Sequence, residues 1–454
     1  MTFTSRLAEF AIRNKYEVLP ENVVNRAKEM MVNAAGVALA AAAQPDSRLL
    51  IDIIQDLRGN GKCTIIGMGL RTSPTYAALA NGMMINLLDF DDEIIPYDLH
   101  ISSTIMPVVM AIGEMNGCTG KQVISAYVTA SEIMAGLAHY CPSSPLNSDE
   151  RPCVHMDGVL GTIGACIAAG LMHELEQQQL IKAIGIAAGC AGGIFANYGT
   201  PARAYQCGQA AMNGFMSSYL AANGMTGSSD SIESSSGLMK LFWGNQIDSD
   251  EFFSSLASPY RIETPGVALK LYPCDTASHT AIEALLQLLQ QYRVEESQVD
   301  SVLVSVTQEC MNSLPVVTPS NGWESRFCMS YIIAATLLHG QPLLDFFSDA
   351  AVADTEVRHV MDKVTVQATE GSSALSSNPC TVSVVLKDGK CLENKVDFAR
   401  GQPELPLDKE EIDAKFLYCT RYILPPDHIE EAIDSFRGLE NVENVTGMFS
   451  VLGG

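Results

Sequence analysis

From residue 1 to about 260 the chain returns again and again to runs of small residues at helical spacing: AAGVALAAAA, GTIGACIAAG and AIGIAAGCAGG. Larger apolar residues recur at intervals of three and four, as in Val24, Ala27, Met30, Met31 and Ala34, the signature of an amphipathic or buried helix. Glycine inside a helix costs about 1 kcal/mol relative to alanine. A sequence that repeats this cost in segment after segment is expected to gain close approach of helix axes. The pattern therefore predicts a large body of tightly packed helices. Polar breaks such as His173-Glu174-Leu175-Glu176 separate these runs from membrane spans, which need roughly 18 or more consecutive apolar residues.

The periodicity changes near Thr264-Pro265-Gly266. Alternating segments follow at 299–308 (VDSVLVSVTQ), 363–369 (KVTVQAT) and 380–386 (CTVSVVL), and Asp388-Gly389 is a good hairpin turn. Helical runs lie between them, after Ser278 and from Ser325 to His339. After Pro403 and Pro406 the chain turns helical again over Asp408–Phe416 and Pro426–Leu439. The expectation is a mainly α protein. Residues 1–264 form the first part of a large all-helical domain, 265–398 a smaller α+β domain, and 399–454 a helical tail that returns to the first domain.

Composition excludes several classes of function. The 454 residues are 47% hydrophobic and 18% charged, with 52 acidic against 28 basic side chains and a net charge of −24. No basic patch of the kind that binds nucleic acid is found. The 13 cysteines include no CxxC pair, which points to free thiols in a reducing compartment. The N-terminal stretch is amphipathic and charged, unlike a signal peptide. The expected location is cytoplasmic, without nucleic-acid or membrane partners.

The stretch 81–113 concentrates the chemistry. An apolar helical run ends in Asp89-Phe90-Asp91-Asp92, His100 follows, and Ser102, Ser103 and Thr104 open another apolar run. Carboxylates, an imidazole and a helix N-terminus are thus brought together, as proton transfer beside an anion requires. A solvated acidic loop with a helix cap would leave the same pattern. His155 precedes the run Val159–Gly170, where the helix N-terminus suits a neutral imidazole base. His279 lies at the junction of the helical and α+β parts, a frequent place for ligands. The remaining five histidines read as structural. Asp89, His100, His155 and Asp157 could also hold a metal, but no HExxH or EF-hand spacing supports this, and none is expected. No GxSxG occurs, and no GxGxxG follows a strand.

In order along the chain stand Tyr76-Ala77-Ala78-Leu79-Ala80-Asn81-Gly82, Leu88-Asp89-Phe90-Asp91-Asp92, His100-Ile101-Ser102-Ser103, His155 with Gly161-Thr162-Ile163-Gly164, Arg203 through Gly208-Gln209-Ala210-Ala211, Leu271-Tyr272-Pro273-Cys274, Glu324-Ser325-Arg326-Phe327 and Leu386-Lys387-Asp388-Gly389. This ordered set resembles the MmgE/PrpD family, whose members are dehydratases, decarboxylases and epimerases of small polycarboxylates. The resemblance implies a homodimer and a cofactor-free site between the helices and an α+β lid. It also implies proton transfer next to a carboxylate, with loss of water or CO2 or with inversion. Asp89, His100 and His155 match the family's acid and two histidines. On this reading His155 or Asp89 is the base and His100 the acid, while Arg203 and Lys270 bind substrate carboxylates.

Departures from the family pattern bear on the substrate. Glu93 stands where decarboxylases carry threonine, Arg203 where many members carry lysine, Tyr205 and Gln206 replace Leu-His, and Asp275 follows Tyr-Pro-Cys. Glu93, Tyr205, Asp275 and His279 are therefore expected beside the substrate with Arg203 and Lys270. The resemblance implies a lyase of the family's general kind; the added negative charge suggests, as the alternative, an isomerase or epimerase on a less anionic substrate in a specialised biosynthetic pathway. An inactive helical dimer is the third reading.

Overall fold

The computed structural model describes residues 1–141, 153–244, 247–369, 378–421 and 423–453. Long helices cover most of the first part: Glu21–Ala42, Pro74–Asn86, Ile101–Asn116, Gly120–His139, Met156–Met172 and Pro201–Ala222. The helix Pro201–Ala222 packs on both Pro74–Asn86 and Met156–Met172. The small residues act here as the sequence suggests. A Cβ at Gly208 would stand 2.2 Å from the Leu79 carbonyl oxygen, so only glycine allows this crossing.

Buried apolar residues fall into two clusters. One runs from Phe3 to Leu269 and resumes with Leu407, Phe416, Phe436, Phe449 and Leu452. The tail helix Lys409–Thr420 lies against Glu21–Ala42 and places Phe416 in this core. The other cluster collects residues from Tyr272 to Val396. It is built on a four-stranded sheet in the order Val364–Ala368, Val299–Val306, Cys380–Leu386, Cys391–Val396. The first pair is parallel, bridged by a helical crossover as parallel strands require, and the rest are antiparallel. Val302, Val304 and Val306 alternate into the core beneath the helices His279–Tyr292 and Met329–His339.

At the edge of the first core lies a pairing that periodicity did not signal. Asp92–Glu93 pairs antiparallel with Ala268–Leu269, in the register Asp92 to Leu269 and Glu93 to Ala268. This short ribbon carries the acidic run alongside Lys270. Among the described residues no helix is long and apolar enough to cross a membrane.

Candidate active site

The helix Pro74–Asn86 ends where the acidic run begins. Asp89 sits in the left-handed region with φ 49°, a conformation that aspartate tolerates better than most residues. The turn directs its carboxylate toward two cations. Arg203 Nη1 and Lys270 Nζ each donate to Asp89 Oδ1 at 2.9 Å. Burial favours the neutral acid, but Lys270, Arg203 and His100 hold this carboxyl well below the usual range. Lys270 also lies 3.4 Å from Glu93 Oε2, which accepts from Thr276 Oγ1. Burial works against the Lys270 charge, and Asp89 and Glu93 more than restore it.

His100 is the N-cap of the helix Ile101–Asn116 and is fully buried. Its backbone N–H donates to Asp157 Oδ1 at 2.7 Å. Its Nδ1 is 3.2 Å from Asp91 Oδ1, and Arg203 Nη2 donates to its Nε2 at 2.8 Å. A guanidinium only donates, so this contact leaves Nε2 a lone pair and puts the single ring proton on Nδ1, facing Asp91. Burial disfavours the imidazolium, yet Asp91 outweighs it and lifts the His100 pKa to about 10. The two demands on the ring are exclusive: a second proton can sit on Nε2 only when Arg203 turns away.

His155 is the N-cap of the helix Met156–Met172, also fully buried. The neighbouring loop lies close because Gly158 has no side chain; a Cβ there would be 2.4 Å from the Gly192 carbonyl oxygen. The His155 backbone N–H donates to Gly193 O at 3.2 Å. Its Nε2 lies 3.3 Å from Asp157 Oδ2, and neither ring nitrogen has a well-aligned hydrogen-bond partner. Tyr198 closes this side. Its ring meets His155 edge-on at 5.6 Å and lies 4.5 Å from the Arg203 guanidinium, and its hydroxyl donates to Asp98 at 2.6 Å.

Asp89, Arg203, His100, Asp157 and His155 thus form one chain of polar contacts, with Lys270, Glu93 and Thr276 attached. Three expected substrate contacts make no hydrogen bond within it, although Asp275 lies near enough to Asp89, Lys270 and Glu93 to feel their charges. Tyr205 is 39% exposed; two residues after Arg203 on one helix, it points to the opposite face. His279 Nε2 contacts the Cys274 carbonyl oxygen at 3.2 Å, and burial with the Lys270 charge depresses its pKa to about 3. It is a neutral donor closing its own turn. Asp275 accepts from Ala277 N–H at 2.9 Å as a helix cap, and burial and Asp89 push its carboxyl up to about 7.

Lys415 of the tail helix was not anticipated. Its Nζ donates to Asn33 Oδ1, Phe90 O and Lys270 O at 2.6, 2.7 and 2.6 Å. It fastens the backbones of the acidic run and of the Lys270 segment together. Sequence spacing suggests Asp157 only as a metal ligand; in the structure it lies between the His100 backbone N–H and the His155 ring. Tyr198 and Lys415 had no local signal.

Among the described residues two groups could approach a metal ion: His155, Asp157 and Cys207, and Glu93, Asp98 and His100. Burial holds the Cys207 thiol well above its usual pKa, and thiolate is the form that binds metal. In the second group Arg203 already occupies His100 Nε2 and Lys270 attends Glu93. Neither donor set fits an ion well.

Comparison with known proteins agrees along nearly the whole length. The MmgE/PrpD N-terminal domain matches residues 5–249 and the MmgE/PrpD C-terminal domain residues 272–441. Cis-aconitate decarboxylase of Homo sapiens is 25% identical over 446 residues, 96% of this chain and 91% of that protein. Cis-aconitate decarboxylase of Aspergillus terreus is 26% identical over 477 residues, 99% and 95% of the two chains. The 2-methylcitrate dehydratase of Cupriavidus necator is 20% identical over 380 residues, 77% and 74%.

Proposed function

The chain belongs to the MmgE/PrpD family, and from that premise we propose that it is a lyase that moves a proton next to a carboxylate of a small carboxylic acid, releasing water or CO2. The observation that carries this reading is the pair of buried histidines, each with a carboxylate near one ring nitrogen, of which His100 alone receives a donor, Arg203, on the other. His155 is the base, oriented by Asp157. His100 is the acid. An incoming carboxylate draws Arg203 away from His100 Nε2, and the Asp91 charge then favours a proton on that nitrogen. Substrate binding thereby arms the acid. General acid and base groups of this kind each contribute about 10²–10⁴-fold. The reaction uses side chains alone, and the working unit is a homodimer; sedimentation of the purified protein tests the latter.

Substrate charge is where this chain departs from the relatives named above. Lys270 is shared between Asp89 and Glu93, and Arg203 is tied to Asp89. Fewer cationic donors remain for a tricarboxylate, and unpaired buried charge costs several kcal/mol. The substrate we propose has fewer carboxylates, or carries an amine or a neutral portion. Glu93 also favours a second reading, an isomerase or epimerase on such a substrate.

Incubation of the purified protein with cis-aconitate, 2-methylcitrate and less charged acids in D2O, followed by proton NMR, separates these readings. Loss of water or CO2 from a less charged acid supports the lyase. Deuterium uptake without elimination supports the isomerase. Turnover of cis-aconitate or 2-methylcitrate at about 10 s⁻¹, an ordinary enzyme rate, overturns the substrate assignment.

A further inference from the structure

The cations around the site are almost all spent. Arg203 gives its two terminal nitrogens to Asp89, Asn86 and His100. Lys270 serves Asp89 and Glu93. Lys415 has three acceptors for its three protons. Arg326 differs. It follows the short helix Gly322–Ser325 on the α+β side and is 4% exposed. Its Nη1 donates to Gly322 O at 3.2 Å, and its guanidinium lies 4.9 Å from the Trp323 ring and 5.5 Å from that of Phe347. Among the described residues it has no carboxylate within ion-pair distance, and its buried Nε has no hydrogen-bond partner. Burial depresses its pKa to about 10, although Asp89 nearby opposes this.

A buried cation without a counter-charge is costly, and the aromatic faces offset only part of that cost. The bond made by Nη1 leaves free the edge formed by Nε and Nη2. That edge presents two parallel N–H groups, the geometry that takes a carboxylate in bidentate fashion. Arg326 also lines, with Asn86, Asp89, Thr200, Arg203 and Trp323, a cavity of about 10 Å³, roughly the room for one water. The cavity lies between the two cores, and a small acid can occupy it only if the Trp323–Arg326 side and the helix Pro201–Ala222 part.

We propose that Arg326 is the substrate-carboxylate receptor on the α+β side of the site, binding through its Nε–Nη2 edge and so determining specificity for acids with a carboxylate at that end. The inference rests on the reading of this site as one that acts on small carboxylic acids. A carboxylate held there neutralises a buried cation that has neither a carboxylate partner nor, at Nε, a hydrogen-bond acceptor among the described residues. It also links the two cores through the ligand, since the Asp275 N–H donates to Arg326 O at 3.2 Å and ties the receptor to the segment carrying Lys270.

The test is calorimetric binding of two probes, maleate and its monoamide maleamate, to wild type, Arg326→Gln and Arg326→Lys, with thermal unfolding to confirm that each variant folds. Wild type is expected to bind maleate about tenfold or more tighter than maleamate, as a bidentate charged contact implies. Arg326→Gln is expected to lose that factor on maleate and to bind both probes alike. Arg326→Lys, which keeps charge but not the fork, is expected to fall between. Unchanged discrimination in Arg326→Gln overturns the inference and leaves the lyase reading standing. Wild type that binds both probes equally overturns the inference without recourse to any variant. Wild type that binds neither overturns the carboxylic-acid reading of the site, and the inference with it.

Discussion

The surroundings of His100 and His155 are alike in almost every respect that sequence could specify. Each ring is fully buried. Each residue caps the N-terminus of a long helix, and each has a carboxylate near one ring nitrogen, at 3.2 Å for Asp91 and 3.3 Å for Asp157. The difference lies on the far side of the ring. His100 receives Arg203 there and is bonded through its backbone to Asp157. His155 faces the edge of Tyr198, and its Nδ1 has no hydrogen-bond partner. An unsatisfied buried polar group costs about 1–3 kcal/mol. On the proposed reading, base and acid are told apart not by burial but by the donor that Arg203 supplies to one ring and not to the other.

Replacing His155 should give the largest effect. His155→Gln is expected to lower kcat by about 10²–10⁴-fold, while calorimetric affinity for maleate stays within a few-fold of wild type. A variant that loses binding and keeps kcat would remove His155 from the proton transfer.

Arg203→Lys comes next. Lysine cannot reach Asp89, Asn86 and His100 together, nor offer a planar face to Tyr198. A fall of about 10–100-fold in kcat/KM is expected, since the two cations are not interchangeable at a forked, stacked site. Equal activity in Arg203→Lys would show that the contact with His100 carries no function.

Asp91→Asn probes the other side of His100, by pH. Once Arg203 has turned away, the carboxylate raises the His100 pKa to about 10, so the acid form persists up to that pH and is lost above it. Without that charge the pKa falls. The alkaline limb of kcat should move to lower pH, with a few-fold effect near neutrality. Profiles that superimpose on wild type from pH 6 to 10 would remove Asp91 from the account.

The smallest expected effect is that of chelation. Exhaustive treatment with a chelator should leave kcat unchanged, and elemental analysis should find no stoichiometric zinc or iron. An ion held by His155, Asp157 and Cys207 would occupy the free ring and erase the contrast between the histidines.

Much of this architecture was legible because it repeats locally. The Ala/Gly runs announce close-packed helices, and Val299–Val306, Val364–Ala368 and Cys380–Leu386 alternate as sheet strands do. The members of the site were legible where a motif carried them: Asp89, His100 and His155. What escaped was whatever depends on distant segments meeting. The ribbon of Asp92–Glu93 with Ala268–Leu269 is too short to show a period, yet it decides that Glu93 shares Lys270 with Asp89. Tyr205 illustrates the opposite failure, where nearness in sequence to Arg203 suggested nearness in space and the helical turn separates them.

The three bonds of Lys415 have a consequence for how the protein is made. Its acceptors on the backbone belong to Phe90, 325 residues earlier in the chain, and to Lys270, 145 residues earlier. At a synthesis rate of about 5–20 residues per second, the segment bearing Lys270 waits roughly 7–30 s for the lysine that fastens it to the acidic run. During that interval the nascent helical core has the carboxylates of its site but not the clamp that sets their spacing. Chaperone engagement and degradation in the cell should therefore act most strongly on chains in this window, and truncations just before Lys415 should be the ones that accumulate in an uncompleted, aggregation-prone form.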